Sequence, residues 1–187
     1  MEQTRTLEEM RIEFERAGGR TLSFPIAGTI AWTATGIFGA LLPEDEASIA
    51  LFICNGLIFP LSLMIARFLG EDVLSSNNDL DRLFGRGIIM VNLVWAIAIP
   101  FWLVLPSSLP LSVGILAGLH WLIYGWIVQH RVGMFHAVTR TVLVAACWFL
   151  LPDHRFVAIP AVLVLLYLIT IYVLATRPLR VPANAKL

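Results

Sequence analysis

Acidic side chains are absent from every long apolar stretch of this 187-residue chain, and charge is scarce throughout. Asp, Glu, Lys and Arg make up 14% of it, against about 25% in soluble domains. Thirteen basic and thirteen acidic residues give zero formal charge, so no global field draws in nucleic acid or another polyelectrolyte. There are two cysteines, Cys54 and Cys147, both inside apolar runs, which reads as small buried side chains rather than a disulfide framework. His-Glu-x-x-His, Gly-x-Ser-x-Gly and the phosphate-binding Gly-x-x-x-x-Gly-Lys are missing too, so no catalytic residue, metal ligand set or cofactor is assigned. The N-terminus has no basic tip leading to a short apolar run and a cleavage site; the expectation is no removable signal peptide, the first span acting as its own insertion signal.

What remains is apolar: 58% of residues, 11% aromatic, with a mean hydropathy of +0.82. Six stretches, 21–42, 48–68, 87–105, 111–129, 134–151 and 156–175, are long enough to cross a hydrocarbon layer of about 30 Å. Twelve of the thirteen basic residues fall before the first span, after the last, or around the second and fourth connections. Only Arg155 falls on the other side. Short cytoplasmic connections retain Lys and Arg, so both termini are expected in the cytoplasm of a multi-pass plasma-membrane protein. The expected fold is therefore all-α: a polytopic bundle of six transmembrane helices over 21–175, a cytoplasmic tail at 176–187, and a cytoplasmic amphipathic helix over 1–20. Thr6-Leu-Glu-Glu9 has the capping-box pattern that starts this first helix, and Gly18-Gly19 ends it.

Pro43, Pro106 and Pro152 each open an outer connection, and Arg67, Arg131 and Arg177 follow at almost the same spacing. That leaves open three tandem hairpins, although proline ends helices and the bilayer fixes span length without any repeat. Pro60 and Pro100 should kink the second and third spans by freeing the carbonyls of Gly56 and Ala96. Ala27, Ala31, Thr35 and Gly39 form a small-residue seam on the first span, and Gly114, Gly118 and Gly125 mark the fourth. Seams of this kind let helices approach closely, either within one chain or across a homodimer or partner interface.

The polar residues inside the spans are few. Asn55, His120 with Tyr124 four residues on, and His136 with Arg140 four residues on are the candidate ligand-binding set; Asn92 completes the polar inventory. Arg140 lies about 10 Å inside the inner boundary. It either snorkels to the headgroups or takes a carbonyl, a lipid phosphate or an anionic ligand as partner, because no intramembrane carboxylate is available. Asp79 and Asp81, with Glu71 or Asp72, read as a solvated connection rather than a cation site.

Gly56-Leu-Ile-Phe-Pro-Leu-Ser-Leu, Ala66-Arg-Phe-Leu-Gly70 and His120-Trp-Leu-Ile-Tyr-Gly-Trp126 resemble a bacterial family of small multi-span membrane proteins known only as a domain of unknown function, the 7010 family. The resemblance implies a compact helical bundle in a bacterial inner membrane and carries no activity or ligand with it. Three functions are compatible with the residues. The first is binding or transport of a small lipid-like or anionic molecule in an inner-half cavity. The second is a non-catalytic scaffold or interaction subunit built on the small-residue seams. The third, and weakest, is a lipid-modifying intramembrane enzyme with His120 or His136 as general base, for which no nucleophile can be named.

Overall fold

A computed structural model describes residues 5–73 and 78–179. Most of the expected tail, with Arg180 and Lys186, lies outside the described residues, as do residues 1–4 of the expected first helix. The described residues are helical and contain no strand: α1 (Leu7–Gly18), α2 (Ser23–Leu41), α3 (Glu44–Gly56), α4 (Ile58–Leu69), α5 (Asp79–Leu93), α6 (Trp95–Val104), α7 (Ser108–Leu116), α8 (His120–Ile127), α9 (Val132–Leu150) and α10 (Arg155–Thr176), with a short 3-10 turn at Pro152–His154. Five stretches are long and apolar enough to cross a membrane, and α3 with α4, bent by 40°, makes a sixth if the pair is one span.

Helix ends follow local chemistry. Thr6 and Glu9 form the capping box of α1, and these hydrogen bonds hold the Glu9 carboxyl below its ordinary pKa. Asn78 and Asp81 form a second capping box at the start of α5, which begins eight residues before the apolar stretch at 87. An amide oxygen can accept at an N-cap as well as a hydroxyl can, so the helix runs out past the apolar segment.

Three of the expected spans are broken near their middles. In the second, Pro60 cannot donate to the carbonyl of Gly56, and the helix stops at Gly56 and resumes at Ile58. The third tightens at Val94, where Val94 N–H donates to Val91 and Ile97 N–H to Val94, two residues before Ala96, whose carbonyl Pro100 leaves without its helical donor. The fourth breaks over 117–119 with no proline involved: Gly118, Leu119 and Trp121 each donate three residues back instead of four. The three expected hairpins consequently differ, since α2, α9 and α10 are continuous while the other apolar stretches are not.

The seam of α2 is used inside the chain. Ala27, Ala31 and Thr35 are buried, and α2 packs most extensively on α10. Gly39 lies against the carbonyl of Phe156, which Pro160 leaves without its helical donor. A Cβ at Gly28 would sit 2.6 Å from the Tyr167 ring.

The end of the bundle where α1 lies is tied by charges at helix termini. Arg11 donates to the carbonyl of Ile127 at the end of α8 (3.1 Å) and lies over the Trp126 ring. Arg20 donates to Leu174 and Arg177 at the end of α10. Glu71 accepts from the amides of Leu22 and Ser23 at the start of α2. Each placement puts a charge against the matching pole of a helix dipole. Glu15 and Arg177, 2.6 Å apart and nearly inaccessible, lock α1 under α10, and Phe14 packs edge-on against Phe84 of α5. At the opposite end Trp102 donates to Ser48 (2.8 Å), Trp148 donates to the carbonyl of Ser107 (3.0 Å), and Arg155 stacks over Trp148.

Candidate functional site: a mid-span cavity at three helix breaks

Arg140, near the middle of α9, does not snorkel; its side chain is 1% exposed. The reason lies in the neighbouring span. The break over 117–119 takes Gly118 N–H away from the carbonyl of Gly114, and Nε of Arg140 donates to that oxygen instead. One terminal nitrogen donates to the Tyr167 hydroxyl (2.8 Å), and the other makes a long 3.5 Å contact with the carbonyl of Val113. Arg140 therefore caps α7 from outside. The guanidinium also lies 5.8 Å from the Trp32 ring centre and 5.5 Å from that of Tyr167.

The side chain reaches this position because Gly118 has no Cβ: one there would fall on Cδ of Arg140 and 2.6 Å from its Nε. His120 answers the same break. Trp121 N–H has moved to Gly118, leaving the carbonyl of Ala117 free, and Nδ1–H of His120 donates to it at 2.8 Å. A carbonyl can only accept, so the proton of a neutral His120 is on Nδ1.

Arg140, Tyr167 and Trp32 form one wall of a cavity of about 80 Å³. Asn55, Gly56 and Phe59 supply the second-span side, Asn92 and Trp95 the third, and Ala117 and His120 the fourth. Trp32, Gly56, Asn92, Ala117, Arg140 and Tyr167 each lie within a turn of the midpoint of their span, so the cavity sits at the centre of the bundle. The α7 terminus offers Arg140 roughly half a negative elementary charge. Among the described residues no carboxylate lines the cavity, so Arg140 has no acidic partner there. Two further groups are unsatisfied. The Trp32 indole N–H is buried without an acceptor, and Asn55, whose amide donates to Leu51 O (3.2 Å) and Thr35 Oγ1 (3.4 Å), keeps a buried Oδ1 with no donor.

Of the residues singled out from sequence, Asn55, His120 and Arg140 meet at this cavity and Tyr124 and His136 do not. His136 is fully buried; its Nδ1–H donates to Thr170 Oγ1 (2.8 Å), whose own proton goes to the carbonyl of Leu166. Its ring stands between Trp121 and Tyr167. Tyr124 packs against Trp121 and Phe84. The cavity is at mid-span rather than in the inner half. Trp32 and Tyr167 escaped the sequence reading, although both carry a polar group at the centre of a span, where tryptophan and tyrosine are less usual than at the interfaces. Glu71, Asp79 and Asp81 serve as helix caps or, for Asp79, pair with Arg82 at 2.8 Å, and no acidic or histidine cluster suited to a metal occurs among the described residues.

Residues 7–177, from the start of α1 to the arginine that pairs with Glu15, match a family of unknown function, DUF7010. The chain belongs to that family. No curated protein and no solved structure matches it. The family carries no assigned activity, so the chemistry has to come from the cavity itself.

Proposed function

We propose that this protein binds, and passes across or along the bilayer, a small lipid-like or anionic molecule held at Arg140 in the mid-span cavity. The observation that carries this reading is a buried guanidinium in a cavity wall that contains no carboxylate. An ionisable side chain inside a membrane is costly and faces a partner or a pathway. Carriers commonly hold substrates at the midplane, between helices that are broken there. The scaffold alternative loses its main support, since the α2 seam meets α10 within the chain.

Native mass spectrometry of the gently solubilised chain tests the reading. Wild type should retain a stoichiometric anionic non-protein mass. Arg140→Lys keeps the charge but loses the planar fork, and should retain at least tenfold less. Bare wild-type protein, or equal retention by the variant, overturns it.

The same proposal includes the topology. Counting α3 with α4 as one span gives six transmembrane helices over 21–175, with both termini in the cytoplasm by the basic-residue distribution and the whole in a bacterial inner membrane. It includes α1 as a cytoplasmic cap rather than a separate domain. In a background with both cysteines replaced by alanine, a membrane-impermeant maleimide added to intact cells should label Asp153→Cys and spare Arg131→Cys. The reverse pattern, or labelling of both, overturns the orientation.

A further inference from the structure

We infer that the ligand is a single-chain amphiphile with a phosphate-like head, which enters sideways from the bilayer between α4 and α5. The inference rests on the anion-binding reading above and goes further by naming the class of molecule and its route.

Size gives the first step. Pockets that enclose whole ligands run to about 300–1,000 Å³, and this cavity measures about 80 Å³. It admits a head group and little else. The second step is where the rest of the molecule goes. α4 packs on α2 and α3, and α5 packs on α8, α1 and α6, but α4 and α5 hardly touch one another. The cavity reaches this gap through Gly56 and Asn92, both of them exposed lining residues at the midpoints of the second and third spans. Outside that opening, at that depth, lies hydrocarbon rather than water, so whatever protrudes must be apolar. Ile58, Phe59, Ile88 and Val91 line the way out and offer an apolar track for a chain.

The head is specified by the unsatisfied groups. Arg140 supplies positive charge, and the unpaired Trp32 N–H supplies a donor. The unpaired Asn55 Oδ1 calls for a donor from the ligand. A phosphate monoester carrying one proton answers all three, because it is anionic, accepts at its unprotonated oxygens and donates from its P–OH. A carboxylate lacks the donor, and an alcohol lacks the charge.

The test uses the full chain in phosphatidylcholine nanodiscs, with dodecyl phosphate, dodecanol and inorganic phosphate as probes and native mass spectrometry counting retained molecules. Dodecyl phosphate should occupy wild type at least tenfold more than either other probe at equal concentration. Gly56→Trp narrows the entrance without a clash at its root, since a Cβ at Gly56 meets nothing within 4 Å. It should melt like wild type and retain at least tenfold less dodecyl phosphate. Asn92→Phe, on the opposite lip, should do the same. Inorganic phosphate retained as well as dodecyl phosphate, with Gly56→Trp unchanged, overturns the lateral chain and leaves the anion site standing. Retention of neither phosphate overturns both, and dodecanol held as tightly as dodecyl phosphate overturns the charged head.

Discussion

Gly133→Ala is expected to lower the stability of the chain by about 3 kcal/mol, near the upper part of the usual range for overpacking. The added Cβ would fall on the carbonyl oxygen of Trp121 and within 2.6 Å of Gly125 Cα and 2.7 Å of Gly125 N. These are backbone atoms of α8, so no rotamer change relieves the clash and α8 and α9 must move apart. The separation would also disturb the far end of α8, where His120 holds the carbonyl freed at the break. Thermal unfolding in a mild detergent checks this, with Gly85→Ala as the matched control. A Cβ at Gly85 meets nothing within 4 Å, so that variant should melt at or above wild type, as alanine replaces glycine inside a helix. Indistinguishable melting of Gly133→Ala and wild type would mean that the two backbones do not meet as described.

Arg140→Met is expected to separate structure from function. Ligand retention should fall by two orders of magnitude or more, since the sole charged side chain of the cavity wall is gone. Stability should change far less. Methionine leaves the carbonyl of Gly114 and the Tyr167 hydroxyl without a donor, a loss of about 1–3 kcal/mol for a buried group. Against this, a desolvated charge worth several kcal/mol of penalty disappears, and buried charges replaced by apolar residues of similar size often leave stability level or higher. The expected result is a well-folded, inactive protein, the pattern of a site that trades stability for activity. If Arg140 were only the cap of α7, Arg140→Met would melt well below wild type while keeping whatever ligand the wild type holds.

The way Arg140 is held explains why its fate was hidden in the sequence. Its two best partners, Gly114 and Tyr167, lie 26 and 27 residues away along the chain. Nothing in Gly114-x-x-x-Gly118 announces a helix break, because glycines every four residues more often mark a smooth packing seam. In this span the same glycines serve the guanidinium: Gly114 offers the freed carbonyl and Gly118 the room. By contrast the break at Gly56 was legible, since Pro60 acts on its own helix four residues back. The start of α5 was legible too, in Asn78-Asp-Leu-Asp81, but the apolar windows that locate spans do not register a polar capping box.

The sequence by itself determined the helical class, the long apolar stretches, the proline break at Gly56 and the first capping box. These follow from local rules: backbone groups in hydrocarbon must bond within the helix, proline withholds one donor, and a hydroxyl before a helix accepts from its first turn. Only the tertiary structure decided that Arg140 is buried, that Asn55 and His120 meet it while Tyr124 and His136 do not, and that α4 and α5 stand apart. Those outcomes depend on which helix faces meet across 20 to 162 residues of chain, as in the pairs Thr35 with Asn55 and Glu15 with Arg177. In an apolar bundle many faces are alike in hydrophobicity, so the choice falls to close packing at a few glycines and to the few polar groups that must find partners.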